Sequence, residues 1–245
     1  MLVSTPAIVL QTFPYSDTSK VARLATRDHG VQSVIAKGAL RARSPFGAGL
    51  QTLSAGIARF YLRPHRDLHT LAGFDVGDQH AGLAADLARF TAAVALAELV
   101  LRFAEAEPQP DVFDTLAQGL DQLSHAPAEQ VPYAALAALW LEIAVLGFAP
   151  VVHACVRCGR ALGDEAEFSL PEGGLLCPAC GAGAGGSLDR ADQAALAAFV
   201  SGAAQAPPLP DRHLLAHRRL LARFVRRHVA DEKDLPALAF WETRP

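Results

Sequence analysis

The sequence predicts an α+β protein in which a small antiparallel β-barrel comes first and a helical domain with a cysteine-rich insertion follows. Three observations lead to this prediction. Short runs rich in β-branched and aromatic residues fill the first third of the chain. Apolar residues then recur at helical spacing through most of the remainder. All four cysteines lie in two Cys-x-x-Cys pairs between helical segments. We expect domains at residues 1–80 and 81–245, with the cysteine module at about residues 151–186.

The barrel prediction comes from four strand-length segments separated by turn signals. Asp28-His29-Gly30, between the second and third segments, is typical of a hairpin turn. Several short strands in about 80 residues suit a closed barrel, and the five-stranded OB-fold, which often binds nucleic acid, is the simplest architecture that accounts for them. The four segments are Ala7 to Phe13, Ser19 to Thr26, Val31 to Ala36 and Gly56 to Arg63.

The helical part of the chain is divided by prolines. Pro108-Gln109-Pro110 ends the first helical pattern, and Asp111 is the expected N-cap of the next helix. Tyr133 to Leu146 is apolar on nearly every face, which indicates a buried central helix. Its one acid, Glu142, is expected at an edge or paired with an arginine rather than in a catalytic role. A last helix is expected from about Asp211 to Val229.

The two cysteine pairs have the spacing of a closed zinc site. Cys155 and Cys158 form one pair, Cys177 and Cys180 form the other, and 18 residues separate the two. A two-residue gap lets both thiolates of a pair face one ion, and four thiolates complete a tetrahedral shell. We therefore expect one structural Zn²⁺ ion with no open position for catalysis. Two disulfides, or a redox pair, are the alternatives.

The first 66 residues are strongly basic. They contain nine lysines and arginines against two acids, a net charge of +7, whereas the whole chain carries −3. A segment with this bias is a candidate polyanion binder, and a solubilising surface is the alternative. Alternation along the fourth strand segment places Arg59, Tyr61 and Arg63 on one face, which suits stacking of a base on the ring and pairing of phosphates with the cations. The expected nucleic-acid contacts are Lys20, Arg23, Arg27, Lys37, Arg41, Arg43, Arg59, Tyr61, Arg63 and Arg66.

The final helix carries a second group of basic residues. Arg219, Arg223 and Arg226 fall on one side of it, and apolar residues fall on another. This pattern is typical of a solvated helix face or of a surface for an acidic partner, either nucleic acid or an acidic peptide tail. We take these three arginines as candidate contacts to DNA or to a protein partner.

Catalytic motifs are missing from the sequence. It has no P-loop, no Gly-x-Ser-x-Gly elbow and no His-Glu-x-x-His pair, so we expect a binding protein without catalytic residues rather than an enzyme. Two other classes stay open: an RNA-binding or ribosome-associated zinc protein with an OB-like domain, and a nuclease or hydrolase. The N-terminus lacks a signal-peptide pattern, and Thr91 to Phe103 is too short and too charged to span a bilayer. We therefore expect a cytoplasmic protein without a membrane partner.

Several short motifs occur in a characteristic order along the chain. Thr26 to Gly30 and Ala36 to Ala39 belong to the barrel segment, and Cys155 to Gly159 and Leu176 to Cys180 belong to the cysteine module. Together with the order of barrel, helices, inserted zinc module and basic last helix, these motifs resemble the RecO family of bacterial recombination mediator proteins. The likeness spans nearly the whole chain.

The resemblance implies a function in DNA repair and recombination. RecO proteins bind single- and double-stranded DNA and anneal complementary strands. They also help to load the RecA recombinase onto DNA that is coated by single-strand-binding protein, together with RecR and sometimes RecF. Because some members lack the cysteines, the resemblance also implies that the metal is a stabiliser. It further implies a location at the bacterial nucleoid.

Overall fold

The chain forms two compact units, Met1–Ala126 and Pro127–Pro245. The computed structural model describes residues 1–44, 46, 49–181, 183, 186–203, 206–230 and 234–243. The N-terminal unit contains a barrel and two helices, and the C-terminal unit contains the other helices and the cysteine module. The domain boundary predicted near residue 80 falls between the last barrel strand and the first helix, and it stays a prediction.

The barrel has five strands: β1 (Leu2–Pro14), β2 (Lys20–Thr26), β3 (Gly30–Ala36), β4 (Ala55–Tyr61) and β5 (Leu68–Asp78). It is closed, with the strand order β1-β2-β3-β5-β4. Neighbouring strands are antiparallel except β3 and β5, which run parallel. This is an OB-like barrel, and the predicted fold class is confirmed.

Alternation along the strands fills the barrel with apolar side chains. Val9, Leu24, Val34 and Phe60 are fully buried in its interior, while their neighbours along each strand face outward. The four predicted segments all form strands, and the predicted turn joins β2 to β3. The strand β5 was not predicted, because its glycines and acids dilute the composition that marks the other strands.

Two helices complete the N-terminal unit: α1 (Leu87–Phe103) and α2 (Pro110–His125). The predicted N-cap of α2 at Asp111 is wrong, because Gln109 occupies the cap and Asp111 lies in the first turn. Pro110 occupies the first helical position, where its missing N–H costs no hydrogen bond.

The barrel packs closely against these helices. Ile8 and Ala25 lie opposite each other on the outer face of β1 and β2, and both are buried because α1 covers this side. In the turn before β3, a side chain at Gly30 would collide with the backbone of residues 105–107. The Val31 backbone N–H donates to the carbonyl of Glu105 at 2.9 Å. This side of the barrel is therefore closed to a ligand.

The C-terminal unit combines helices with a small sheet. Its sheet is antiparallel and has three strands, and its first helix packs against two of the later helices. The short last helix was not predicted. The elements are α3 (Val131–Ile143), β6 (Glu165–Ser169), β7 (Gly174–Leu176), α4 (Pro178–Gly181), β8 (Gly186–Asp189), α5 (Arg190–Ser201), α6 (Asp211–His228) and α7 (Pro236–Thr243).

The helix α3 is the buried central helix that the sequence predicts. Leu139, Trp140 and Ile143 are fully buried. A turn of π-helix follows α3 and contains Gly147, whose φ of 93° breaks the helical conformation. The stretch Ala128–Phe148 is long and apolar enough to cross a membrane by length and composition, and burial inside a packed unit accounts for that composition.

Glu142 does not lie at an edge and is not paired with any arginine that the structure describes, so that prediction is wrong. Its side chain is fully buried in α3, and neither carboxylate oxygen has a hydrogen-bond partner within the described residues. Burial raises the pKa of Glu142 well above its usual range, because the ionised carboxylate would lose its hydration. Glu142 therefore favours its neutral form.

Candidate nucleic-acid interface and metal centre

The four cysteines come together at one point in the C-terminal unit. Their sulfur atoms all lie within 4.8 Å of one another, and Cys158 Sγ is 3.7 Å from Cys177 Sγ. None of the four is in a disulfide. With a Zn–S bond of about 2.3 Å, a tetrahedral ion holds its sulfurs about 3.8 Å apart. The donor set and its spacing therefore fit a four-thiolate metal centre at Cys155, Cys158, Cys177 and Cys180.

Each cysteine pair is held in a tight turn. The backbone N–H of Gly159 donates to the carbonyl of Cys155 at 2.8 Å, and the N–H of Gly181 donates to the carbonyl of Cys177 at 2.9 Å. The second turn begins directly after β7 and forms the short helix α4. These turns bring both sulfur atoms of a pair to the same side of the backbone, as ion binding requires.

Arg157 ties the two cysteine pairs together. It lies within the first pair, and its Nη1 donates to the carbonyl of Cys180 in the second pair at 2.8 Å. Its Nε and Nη2 donate to Oε1 of Glu172 at 2.9 and 2.8 Å. The guanidinium group thus fixes the spacing of the pairs by contacts that do not involve sulfur.

The thiols of the cluster differ in acidity. Hydrogen bonds from backbone N–H groups, chiefly that of Cys177, lower the pKa of Cys155 to about 6. A hydrogen bond with the side chain of Cys158 raises the pKa of Cys180 to about 12. Four thiolates at this spacing repel one another, so their joint ionisation requires a bound cation.

The outer face of the barrel presents Tyr61 within a row of side chains that crosses several strands. Tyr61 on β4 lies opposite Leu2 of β1 and Thr70 of β5. Thr70 in turn lies opposite Ile35 of β3. Opposite residues on neighbouring strands are about 5 Å apart, so these four form one continuous row, here called the Tyr61 row. Tyr61 is 46 % exposed, which leaves its ring free to stack with a base.

Arg59 faces outward beside Tyr61 but is already paired with an acid. It donates to both carboxylate oxygens of Asp75 at 2.7 and 2.9 Å. The guanidinium crosses over Gly73, where a side chain would collide with it. Arg63 lies beyond the end of β4, in the loop before β5, rather than on the strand face. Because Asp75 already neutralises Arg59, a phosphate would have to displace that carboxylate, whose exposed ion pair contributes about 0–1 kcal/mol.

Two other predicted contacts, Arg27 and Arg23, are partly buried in the N-terminal unit. Arg27, in the turn after β2, donates to both carboxylate oxygens of Asp114 on α2, each at 2.8 Å. This hydrogen bonding lowers the pKa of Asp114. Arg23 lies on β2 opposite Gln11 and Ser33, and its Nε is buried without a hydrogen-bond partner in the described part of the chain. Arg27 therefore holds the barrel against α2.

A basic pocket lies where the loop after β1 meets the loop after β3. Lys37 and Arg41 line this cavity of about 390 Å³ together with Tyr15 and Ile35; we call it the Lys37 pocket. Across the ranges that the structure describes, neither cation is paired with a carboxylate. Tyr15 is 60 % exposed; it was not predicted, because alternation does not mark loop residues. Since Ile35 also belongs to the Tyr61 row, the pocket and the row adjoin.

The remaining predicted cations are spread around the barrel. Lys20 begins β2, opposite Ala36, and Arg43 and Arg66 are exposed in loops. The barrel also includes the acids of β5 and of the loop before it. Through residue 80 it carries nine basic and five acidic residues, a net charge of +4. The net positive charge of the barrel is therefore smaller than the count over residues 1–66 indicates, and Lys37 and Arg41 are two of its cations that line one pocket.

A groove in the C-terminal unit runs between α6 and the small sheet. Its volume is about 620 Å³. Arginines line it on the helix side, and apolar side chains from the sheet and the helix form its floor. The arginines are Arg219, Arg223 and Arg227, and the floor residues include Phe168, Leu188 and Leu220.

The arginines of the groove differ by one from those that the sequence suggests. Arg219 and Arg223 line the groove, whereas Arg226 is paired with Glu242 of α7. The third arginine that lines the groove is Arg227. It is four residues after Arg223 and therefore lies on the same face of α6.

Family comparisons cover nearly the whole chain. The model for the Recombination protein O N terminal matches residues 1–79, and the model for the Recombination protein O C terminal matches residues 84–236. The chain belongs to the RecO family. The resemblance found in the sequence motifs is thereby confirmed, and the RecO family places the chain among DNA repair proteins.

Relatives in the RecO family match over most of their own length as well. The DNA repair protein RecO of Salinibacter ruber is 35 % identical over 205 residues, covering 81 % of this chain and 75 % of the relative. That of Anaeromyxobacter sp. strain Fw109-5 is 32 % identical over 233 residues, covering 91 % and 89 %. That of Streptomyces griseus subsp. griseus is 32 % identical over 246 residues, covering 96 % of each.

Proposed function

We propose that this RecO-family chain is a DNA repair and recombination mediator that binds single- and double-stranded DNA and anneals complementary strands. The observation that carries the proposal is the outer face of the barrel. There the exposed ring of Tyr61 lies in a row of side chains that ends at Ile35, and Ile35 also lines the pocket of Lys37 and Arg41, which lack carboxylate partners within the described ranges. Stacking one base on an aromatic side chain contributes about 1–3 kcal/mol. Such a surface suits a single strand of any sequence.

Annealing follows from charge neutralisation. Two complementary strands repel each other through their phosphates, and a cationic surface that holds one or both of them lowers this repulsion. The surface also raises their local concentration. No covalent bond is made or broken in this process, so it needs no acid, base or nucleophile. We therefore propose a mediator that is not an enzyme.

The metal is proposed to be one structural Zn²⁺ ion at the four cysteines. Four thiolates are the usual ligands of structural zinc and leave no open position for a substrate. The ion would join the turn after α3 to the turn after β7 and would contribute directly to the folding of the small sheet. Its role would be stability rather than chemistry.

The groove beside α6 supports a protein partner for the same function. Its arginines suit the carboxylates of an acidic peptide, and its apolar floor suits an apolar side chain, which DNA phosphates do not provide. We propose the acidic tail of single-strand-binding protein as its occupant. This contact would bring the chain to coated DNA, where it would assist RecA loading with RecR and RecF. That work belongs to the bacterial cytoplasm, at the nucleoid, without a membrane partner.

The test is strand annealing with naked DNA and with DNA coated by single-strand-binding protein. The Lys37→Ala/Arg41→Ala variant should slow both reactions, whereas Arg219→Ala/Arg223→Ala should slow only the reaction with coated strands. Wild-type protein that anneals naked strands no faster than buffer would refute the proposal.

Parallel samples separate the other classes of function. Annealing of RNA strands but not of DNA strands would favour an RNA-binding protein. Cleavage of the DNA during incubation with Mg²⁺ would favour a nuclease. A groove variant that anneals coated strands at the wild-type rate would remove single-strand-binding protein as the occupant of the groove.

A further inference from the structure

The C-terminal unit contains a second cluster of metal-ligating side chains, apart from the cysteines. Two acids at the start of α5 and a histidine of α6 place their ligand atoms within 4.8 Å of one another. A second histidine, one turn further along α6, directs its Nε2 at one of these acids at 3.0 Å. The members of this Asp–His cluster are Asp189, Asp192, His213 and His217.

The cluster is built on two rigid helix segments. His213 and His217 are four residues apart and therefore share one face of α6. Asp189 caps α5, and Asp192 lies in its first turn. A pair of histidines at this spacing on one helix, completed by a carboxylate from another segment, is a common construction of zinc sites.

The distances are already close to those of a coordination shell. His213 Nδ1 lies 2.9 Å from both Oδ1 and Oδ2 of Asp192. An ion with bonds of about 2.0–2.1 Å holds tetrahedral ligands about 3.3 Å apart, so His213 Nδ1 and an oxygen of Asp192 would move apart by a few tenths of an ångström to admit it. One oxygen of Asp189 accepts the backbone N–H of Asp192 at 2.9 Å, and the residue is exposed to solvent.

Burial gives an independent argument for a ligand. Asp192 is 7 % exposed and His217 is 2 % exposed. A divalent cation would balance the two carboxylates of the cluster. Asp189 is exposed and His213 is half-buried, which gives an ion a route from solvent.

We propose that the Asp–His cluster is a second metal site, which binds one divalent transition-metal ion of the Zn²⁺ class. Imidazole and carboxylate together suit such ions, whereas Ca²⁺ and Mg²⁺ prefer oxygen ligands only. The ion would fasten α5 to α6. Since Asp192 and His217 also line the groove, it would fix one wall of the groove. This inference does not depend on whether the chain binds DNA.

The test is metal content of the full-length protein after loading with excess Zn²⁺ and desalting. Wild-type protein should retain about two equivalents per chain, and His213→Asn should retain about one. Asp189→Asn is a second variant with the same expectation, because asparagine caps a helix as well as aspartate does and the fold is kept. His125→Asn, at an exposed position in α2, is the matched control and should behave as wild type.

Cobalt separates the two sites by their ligands. Co²⁺ at the cysteines gives sulfur-to-metal charge-transfer absorption, whereas Co²⁺ at the Asp–His cluster gives only the weaker ligand-field bands. In Asp189→Asn the charge-transfer bands of Co²⁺ at the cysteines should persist, while the ligand-field bands of Co²⁺ at the Asp–His cluster should disappear. Wild-type protein that retains only about one equivalent of Zn²⁺ per chain would overturn the proposal. Retention of about two equivalents by both His213→Asn and Asp189→Asn would also overturn it. The four residues would then form a hydrogen-bonded network only.

Discussion

Removing Lys37 and Arg41 together should reduce the salt dependence of DNA binding far more than removing Arg27. Neither cation of the Lys37 pocket has a carboxylate partner in the described part of the chain, so each can neutralise a phosphate. On single-stranded DNA each such contact adds about 0.7 to the slope of log Kobs against log salt. Lys37→Ala/Arg41→Ala should therefore lower the slope by about 1.4. Arg27 is already neutralised by Asp114, so Arg27→Ala should change the slope much less.

The assay is fluorescence anisotropy of a labelled oligonucleotide, titrated with protein at several salt concentrations. Between about 50 and 200 mM salt, a slope difference of about 1.4 means that wild-type protein loses about sevenfold more affinity than the double variant. Circular dichroism should show that both variants are folded. Equal slopes for wild type and double variant would refute the reasoning. So would an Arg27→Ala slope as low as that of the double variant, because ion pairing would then not decide which cations meet DNA.

Three further variants test other parts of the structure. The double variant Arg59→Ala/Arg63→Ala should bind DNA more weakly than wild type. Its melting temperature should be unchanged, since both side chains are exposed. Wild-type affinity in this variant would show that these two residues do not contribute to DNA binding. Cys155→Ser should lose about one metal equivalent and melt at a lower temperature, because structural zinc contributes to folding. Equal melting temperatures for the variant and wild type would contradict the stabilising role of the metal. Glu142 keeps its proton in the folded state after the unfolded chain has lost it. The free energy of unfolding should therefore fall as pH rises above about 4.5, by up to about 1.4 kcal/mol per pH unit until the folded pKa is reached. In Glu142→Gln, the free energy of unfolding measured with urea should not show this fall with pH. If the free energy of unfolding depends on pH in the same way in both proteins, Glu142 is not the group responsible.

The features that the sequence predicted well are those with local physical causes. Runs rich in β-branched and aromatic residues identified most strands of the barrel, since these side chains suit a pleated, half-buried surface. The Cys-x-x-Cys spacing identified the cysteine cluster, because two thiolates of one pair must reach the same ion. The central helix α3 was also evident, since a helix that is apolar all round must be buried.

The features that were missed depend on residues far apart in the chain. Arg27 and Asp114 are 87 positions apart, and Arg59 and Asp75 are 16 apart; periodicity carries no information about such pairs. Counting charges over residues 1–66 therefore overstated the free positive charge of the barrel. The prediction for Glu142 was wrong for a different reason. A buried carboxyl group without a partner is rare, so the sequence favoured an edge position or an arginine partner.

The small sheet of the C-terminal unit links the cysteines to the groove. Cys177 directly follows β7. The strand β6, which pairs with β7, supplies Phe168 to the groove floor, and β8, which pairs with β6, supplies Leu188. Oxidation of the thiols to disulfides would expel a bound ion, and the strain would reach the apolar floor through only a few residues. We therefore expect a sample prepared without reductant to bind the proposed acidic peptide less tightly than a reduced, metal-loaded sample, although none of the groove's own residues has changed.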